Sequence, residues 1–312
     1  MAEDKSKWLT WSDVQGDNAR KVHDDGFVVL VDRMGCDADI AEAARISYGQ
    51  GTRTINDDRN LIRYLMRHHH TTPFEMCEVK FMIKMPIFIM RQLVRHRTAS
   101  INEYSGRYSE MSDEFYVPDS EYLAPQSLTN RQGRDGEMDN STKVRVLARM
   151  EHVNKVSYDA YQEQLEDNLS RELSRITLPL NNYTIIYWKA NLKNFLHMIH
   201  LRADSHAQKE IQDFANAMYE LAKPLFPLAC EAWEDYQQDG MVLSRMEVEM
   251  LSRIINKTKW MDYESGMRND KAIREQCGVS QRELDEFRTK FNLVNKGKLE
   301  EFRDNLRNGT PK

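Results

Sequence analysis

The stretch CEVKFMIKMPIFIMRQLVRHR, residues 77–97, combines a strand pattern with a helix pattern, and the change between them sets the layout of the chain. Apolar and polar side chains alternate over its first part, which predicts a half-buried strand. One face of that strand carries Val79, Phe81, Ile83 and Met85, and the other carries Glu78, Lys80 and Lys84. We therefore expect a sheet with one face buried against the rest of the protein.

Pro86 ends this strand and suits the first turn of a helix, so PIFIMRQLVRHR is predicted to be helical. The side chains expected to point inward are Ile87, Met90, Leu93 and Val94. Gln92, Arg95 and His96 share another side, because positions three and four apart are neighbours on a helix. The helix should therefore present a polar group beside the strand.

Other elements extend this unit. DDGFVVLVDRM, residues 24–34, has the β-branched content of a buried strand, and the alanine-rich ADIAEAARISYG predicts a helix that ends at Gly49. Asn56 is placed to cap a helix in DDRNLIRYLMRHH. YTIIYWKA, residues 183–190, predicts another strand, and Asn191 is placed to cap the helix LKNFLHMIHL.

The later part of the chain is expected to be largely helical. Residues 141–178 have the pattern of a long helix or a helix pair closed by Pro179, and 202–226 predict an amphipathic helix. Residues 118–140 are rich in Pro, Gly, Asn and Asp and predict a surface excursion. After Gly240 the charge balance changes, with 15 Lys and Arg against 12 Asp and Glu in residues 241–312. We therefore expect a body at 1–240 and a helical C-terminal extension at 241–312.

The extension contains AIREQCGVSQRELDEFRTKF, residues 272–291, which is similar to a helix-turn-helix. Such a unit can contact nucleic acid. However, its acidic residues Glu275, Glu283, Asp285 and Glu286 would repel phosphate, so a packing or assembly role is favoured.

The composition bounds the class of protein. The chain has 312 residues, 40% hydrophobic and 30% charged, which indicates a soluble globular protein. The polar start and the lack of long apolar runs predict neither a secretory signal nor a membrane span, so a cytoplasmic location is expected. The four cysteines are widely spaced without a CxxC pair, which favours reduced thiols over zinc or disulfides. A net charge of -5 argues against nucleic-acid binding by the whole surface.

Three stretches concentrate chemistry. The first, RHRTASINEYSGRYSE, residues 95–110, places arginines among small hydroxyl groups. Gly106 permits close backbone approach, and Ser105 and Arg107 can offer a hydroxyl and a guanidinium to one oxyanion. The chain contains neither a GxGxxG nor a GxxxxGK phosphate loop. A solvated basic helix end remains the alternative to a phosphate pocket.

The second stretch, HHHTTPFE, residues 68–75, raises the question of a metal. Consecutive histidines point in different directions on a helix, and no second ligand cluster has a defined spacing, so no metal site is predicted. A contact to a cofactor is the favoured interpretation.

The third stretch, NLKNFLHMIHLRADSHAQ, residues 191–208, brings Lys193, His197 and His200 together with Arg202. Periodicity alone leaves a solvated polar face as an equal alternative to a site. Arg202 is suited to catalysis because a guanidinium stays protonated and can stabilise negative charge that develops on a substrate.

Together these stretches resemble the flavin-dependent thymidylate synthases. The family signature RHRxxSxNxxSxRY is complete here as RHRTASINEYSGRY, and HHHTTPFE, SRITLPLNNYT and LRADSHAQ resemble further blocks of the family. The resemblance runs from about Asp24 to Gly240. It implies an α/β (α+β) fold with a mostly antiparallel central sheet flanked by long helices, and a catalytic role for residues 1–240.

The resemblance also implies site residues. FAD would be contacted by His70, Thr72, Glu75, Arg95, Arg97, Glu103, Asn191, Lys193 and His197. The substrate dUMP would be held by Gln92, Arg95, Glu103, Ser105, Gly106, Arg107, Arg175 and Arg202, with Arg202 as the catalytic residue. Lys193 stands where the family commonly has arginine, and His197 stands where some members have asparagine. These two differences bear on the geometry of the FAD contacts more than on the function, because lysine keeps the positive charge but lacks the planar fork of arginine.

The implied reaction is methylation of dUMP to dTMP without a cysteine nucleophile. Methylenetetrahydrofolate would supply the carbon and FAD, reduced by NADPH, the hydride. Ser105 is interpreted as a phosphate ligand because no histidine base accompanies it in the motif. The family is homotetrameric with shared sites. The alternatives are a related flavoenzyme that methylates or hydroxymethylates another pyrimidine nucleotide and, from a different class, a nucleic-acid-binding protein.

Overall fold

A computed structural model of the chain describes residues 8–47, 57–128, 132–248, 274–275 and 277–287. Over these residues the strands form an antiparallel sheet in the order β1-β2-β3-β5-β4. The strands are β1 (Ala19–Val22), β2 (Gly26–Met34), β3 (Glu78–Pro86), β4 (Ser100–Glu103) and β5 (Tyr183–Asn191). The strand expected from the alternating pattern is therefore the central one, and the predicted α/β fold with an antiparallel sheet is confirmed.

Helices connect and cover the strands. They are α1 (Trp11–Val14), α2 (Asp37–Arg45), α3 (Asp58–Arg67), α4 (Thr72–Glu75), α5 (Ile87–Leu93), α6 (Asn140–Glu166), α7 (Arg171–Ser174), α8 (Leu192–Arg202), α9 (Lys209–Ala222) and α10 (Pro227–Trp233). For residues 141–178, where a long helix or a helix pair was expected, the structure has the long helix α6 followed by the four-residue α7.

One face of the sheet and the helices share the main hydrophobic core. Phe81 of β3 is opposite Trp188 of β5, and opposite residues in an antiparallel pair point to the same face. The ring of Phe195, from α8, stacks on Phe81 with centroids 5.7 Å apart. Val79, Ile83 and Met85 are completely buried on that face, as the alternation predicted. The core thus fixes α8 against the centre of the sheet.

The opposite face of the sheet holds a feature that the sequence pattern did not indicate. Lys84 points to this face as predicted, yet its side chain is 0% exposed. Its Nζ donates to Oε1 of Glu114 at 2.7 Å and to the carbonyl oxygen of Leu9 at 2.9 Å. The expectation of a half-buried strand is therefore wrong at this position, because the residues around Leu9 and Glu114 cover this end of the sheet.

Several element boundaries differ from the predicted ones. Helix α5 ends at Leu93, so Arg95, His96 and Arg97 lie in turns after it, and Ile89 is buried while Ile87 is only half-buried. Helix α3 is capped by Asp57, whose side chain accepts from the backbone N–H of Asn60 at 3.0 Å. The expected cap, Asn56, and the expected end of α2, Gly49, lie outside the described residues.

Two boundaries on the other side of the sheet bear on the site. Asn191 caps α8 as predicted, because its side chain accepts from the backbone N–H of Asn194 at 2.9 Å. Helix α9 begins at Lys209 rather than at Arg202, which leaves residues 203–208 as a connection between α8 and α9.

The chain divides into two compact units, 1–238 and 239–312. In the second unit, residues 281–287 are helical and follow a turn at Gly278, whose φ is +66°. Ser280 and Glu283 cap this helix reciprocally, since each side chain accepts from the other's backbone N–H. Residues 274, 275 and 277, before the turn, are also helical, whereas 272–273, 276 and 288–291 of the predicted helix-turn-helix lie outside the described residues. The role of this segment stays a prediction. Among the described helices none is long and apolar enough to cross a membrane.

Candidate functional site

Arg202, the last residue of α8, is held by a histidine from another element. Its Nε donates to Nε2 of His96 at 3.0 Å. Burial, followed by the positive charge of Arg202 and by His197, lowers the pKa of His96 to about 4. His96 is therefore neutral at neutral pH, so its ring nitrogen can accept the hydrogen bond.

The pKa of Arg202 is itself lowered, mainly by burial and secondly by the charge of Arg95. Both effects disfavour the charged form of Arg202, and the second indicates that the exposed Arg95 lies close enough for its charge to act on Arg202. A guanidinium remains protonated under such conditions. This region therefore concentrates two positive charges.

The second group surrounds a small cavity between α8 and the turn that follows α3. His69, His70 and Thr71 line one side, and Lys193 and His197 line the other. Burial, followed by the charges of Lys193 and His200, lowers the pKa of His197. The structure thus brings together His70, Lys193 and His197, three residues predicted to contact FAD.

The histidine turn has a defined backbone. His69 has a φ of +58°, in the left-handed region that residues other than glycine seldom occupy. The backbone N–H groups of His69 and His70 donate to the carbonyl oxygens of Met66 and Leu65, which closes the C-terminus of α3. This turn directs the chain into α4, where Thr72 and Glu75 lie next to the cavity in sequence but are not among its lining residues.

The third group consists of the residues predicted to hold the phosphate of dUMP. A Cβ atom on the buried Gly106 would lie 2.9 Å from Sδ of Met111 and 3.2 Å from Cδ of Arg175, so Arg175 packs directly over this glycine. The Ser105 hydroxyl oxygen accepts from the backbone N–H of Arg107 at 3.3 Å. Ser105, Gly106, Arg107 and Arg175 are therefore one cluster, although Arg175 is far from the others in sequence.

Three further residues of the predicted site have side-chain partners within the protein. Oε1 of Glu103 accepts from the hydroxyl of Thr184 at 3.0 Å, which fixes the carboxylate against β5. Gln92 donates through Nε2 to Oε1 of Gln208 at 2.7 Å, which joins α5 to the connection after Arg202. Arg107 pairs with Glu172 at 3.1 Å across a half-exposed contact.

Unpaired cations distinguish this region from the rest of the described surface. Among the residues that the structure describes, no carboxylate forms an ion pair with Arg95, Arg97, Arg175, Lys193 or Arg202. By contrast, Arg20 pairs with Glu220 at 3.3 Å and Arg134 with Glu210 at 2.9 Å. In a chain with a net charge of -5, such a set of cations is typical of a site for an anionic ligand.

Two cysteines of the first unit, Cys77 and Cys230, are unsuited to act as nucleophiles. All four are unpaired, and burial raises the pKa of Cys77 and of Cys230 to about 12, so both thiols stay protonated. Cys36 lies at the start of α2, and Cys277 lies in the second unit. In the described part of the chain, no three His, Cys, Asp or Glu side chains are grouped so that they could hold a metal ion.

Sequence reasoning missed the partners that orient the site. The sequence pattern places His96 with Gln92 and Arg95 without indicating a role for it, and it does not distinguish Gln208 or Thr184 from their neighbours. These contacts join residues 81 to 116 positions apart, so no local spacing could have revealed them. The signals that single out the loop at residues 95–108 are its mixture of arginines with small hydroxyl groups and, above all, the complete signature.

The similarity to known proteins covers the same region. The family model described as "Thymidylate synthase complementing protein" matches residues 29–228. The flavin-dependent thymidylate synthase of Wolbachia pipientis wMel is 44% identical over 267 residues, covering 86% of this chain and 90% of the relative. That of Dictyostelium discoideum is 48% identical over 254 residues, covering 78% of this chain and 84% of the relative.

A solved structure agrees with these relatives. The UMP/dUMP methylase PolB from Streptomyces cacaoi, bound with 5-Br UMP, is 33% identical with a TM-score of 0.64, and the match covers 70% of this chain and 99% of that chain. The family match over residues 29–228, the similar relatives and the shared fold lead to one conclusion. The chain belongs to the thymidylate synthase complementing protein family, the flavin-dependent thymidylate synthases.

Proposed function

We propose that this protein methylates dUMP to dTMP, with methylenetetrahydrofolate as carbon donor and FAD, reduced by NADPH, as hydride carrier. The observation that carries the proposal is the set of unpaired cations at Arg95, Arg97, Arg175, Lys193 and Arg202. These suit two anionic ligands, a nucleoside monophosphate and a dinucleotide, better than a neutral one.

The residues around the histidine turn fit a flavin. Lys193 is positioned to neutralise phosphate, while the imidazoles of His70 and His197 line a cavity that can accept part of a flat ring. Arg95 and Arg97 would add positive charge beside the diphosphate of FAD. The other FAD contacts would come from Asn191, Thr72 and Glu75. Glu103 would lie between FAD and dUMP. When bound, reduced FAD would supply the hydride, and NADPH would restore the reduced form.

The protein's own residues would orient and polarise dUMP. Ser105, Gly106, Arg107 and Arg175 would hold its phosphate, and Gln92 and Arg95 would contact the nucleotide beside them. Arg202 would face the uracil edge and stabilise negative charge on the ring, which activates the ring carbon for attack. In the overall balance the one-carbon group and the hydride both end in the methyl group, which replaces a ring hydrogen that leaves as a proton. One further proton is consumed, so that methylenetetrahydrofolate becomes tetrahydrofolate and NADPH becomes NADP⁺.

The test is a visible absorption spectrum and an assay on the purified protein. We expect a yellow protein whose NADPH oxidation is stimulated by dUMP, with dTMP identified by mass when methylenetetrahydrofolate is present. Colourless protein that stays inactive after addition of FAD, NADPH, dUMP and the folate would refute the proposal.

A second substrate is suggested by the similarity to a UMP/dUMP methylase. The ribose hydroxyl distinguishes UMP from dUMP, so parallel assays on both nucleotides, with product masses, separate methylation of dUMP from methylation of UMP or hydroxymethylation. Turnover restricted to UMP, or a hydroxymethyl product, would favour the second candidate.

We also propose a homotetramer whose sites are shared between chains. The cavity at the histidine turn is ≈ 80 Å³, whereas ligand pockets usually have about 300–1,000 Å³, so one chain would enclose only part of a flavin. The backbone N–H of Tyr104, which precedes Ser105, donates to the carbonyl oxygen of Ile185 near the start of β5, whereas Lys193 follows the end of that strand. The residues expected to hold the phosphate of dUMP are therefore separated from Lys193 by about 20 Å along the strand, at roughly 3.3 Å per residue. The exposed Met150, Val153 and Val156 of α6 are spaced by three residues along one side of the helix and offer an apolar surface for association.

Shared sites make a complementation experiment decisive. Arg107→Ala and Arg202→Ala would each inactivate a homotetramer, but co-refolded or co-expressed mixtures should regain a measurable fraction of activity, because some sites receive both intact residues from different chains. Light scattering gives the oligomer mass. A monomer, or mixtures that remain as inactive as either variant, would contradict the proposal.

A further inference from the structure

We propose that His96 is a positioning residue that orients the guanidinium of Arg202 toward the pyrimidine. This proposal rests on the proposed function, because that function assigns Arg202 to the uracil edge. The geometry that supports it is the hydrogen bond of 3.0 Å from Nε of Arg202 to Nε2 of His96, made between two half-buried side chains.

This hydrogen bond leaves the terminal nitrogens of the Arg202 guanidinium available to a ligand. A guanidinium has five N–H donors, one on Nε and four on the two terminal nitrogens. His96 occupies the Nε donor, and no described carboxylate forms an ion pair with Arg202. The terminal nitrogens therefore remain the donors that a planar ligand edge with oxygen acceptors could engage.

A neutral acceptor is better suited to this task than a carboxylate. A carboxylate beside Arg202 would form an ion pair and cancel much of the positive charge that the substrate is expected to meet. An unprotonated imidazole fixes the Nε–H direction and leaves the charge intact. A protonated imidazole would present a second cation and a competing N–H instead of a lone pair.

The surroundings keep His96 in this neutral form. The charged and titratable groups that act on His96 are Arg202, at the end of α8, and His197, in the same helix. The ring centroids of His96 and His197 are 6.3 Å apart. Arg95 acts in turn on Arg202. The backbone also holds the residue, since the N–H of His96 donates to Leu93 and its carbonyl oxygen accepts from Ala99.

The experiment compares His96→Leu, which removes the acceptor, with His96→Gln, whose amide oxygen can replace the Nε2 acceptor. Binding of dUMP and of 2-deoxyribose 5-phosphate is measured by calorimetry on the oligomer with its flavin retained. We expect His96→Leu to weaken dUMP binding about tenfold, the loss of one hydrogen bond to a charged group, and to leave the phosphate-sugar probe unchanged. His96→Gln should stay within about threefold of the wild type, since the acceptor is retained.

A double-mutant cycle separates positioning from a general structural effect. In an Arg202→Ala background, His96→Leu should have no further effect on dUMP binding, because the group that it orients is absent. Additive losses, equal weakening of both ligands, or no rescue by His96→Gln would overturn the inference. Because the readout is binding, a wild-type protein that binds dUMP but makes no dTMP would refute the proposed function and still allow this test.

Discussion

Replacing Arg202 with alanine is expected to lower dTMP formation by at least about 100-fold, the usual cost of removing a preorganised donor that stabilises developing charge. The side chain is half-buried, positively charged and without a carboxylate partner among the described residues. Burial lowers its pKa, so the fold gains little from this charge. The loss should therefore appear in turnover and leave the melting temperature nearly unchanged.

Arg202→Lys tests whether charge alone is sufficient. Lysine keeps a cation but has neither the planar fork nor the Nε–H that bonds to His96. We expect turnover between those of the wild type and of Arg202→Ala. Arg20→Ala, which removes an exposed arginine paired with Glu220, is the matched control and should retain full activity. Wild-type turnover by Arg202→Ala would refute the catalytic assignment.

Truncating Lys84 is expected to have the largest effect on stability. Lys84→Ala should lower the free energy of unfolding by about 3–5 kcal/mol, because removing one partner of a buried pair leaves the other charge uncompensated. The carboxylate of Glu114 would lose its ammonium partner and keep the hydroxyl of Ser112, and the carbonyl oxygen of Leu9 would lose the Lys84 donor. The aliphatic part of the side chain would leave a cavity in addition.

The double variant Lys84→Met with Glu114→Gln identifies the cause. It removes both charges and retains side-chain volume, so most of the lost stability should return. Urea unfolding at one fixed protein concentration measures all variants. If the double variant is as unstable as Lys84→Ala, or if Lys84→Ala unfolds like the wild type, the ion pair is not the source of the stability.

The sequence was most informative where a signal is local. The alternation in residues 78–85 found the central strand, and Asn191 was recognised as the cap of α8 because capping depends on three residues. Local signals failed at the end of α5, since PIFIMRQLVRHR continues a helical pattern beyond Leu93 while the chain turns to reach β4. They failed at Lys84 because burial there depends on Leu9 and Glu114, which lie far away in the sequence.

The candidate site shows the same division. The signature singled out the loop at residues 95–108, but it did not indicate that Arg175 packs over Gly106 or that His96 bonds to Arg202. These pairings arise when the loop after β4 meets the segment after α7 and when the turn after α5 meets the end of α8. A single sequence carries no spacing signal for them.

The unpaired cations also affect how ligands reach this protein. On a molecule with a net charge of -5, they create a local positive region that attracts dianions from solution while the remaining surface repels them. The same region would attract inorganic phosphate and sulfate. In a phosphate buffer the nucleotide would therefore compete with inorganic phosphate for this region. The apparent affinity measured for dUMP would then include the free energy of displacing a bound phosphate ion.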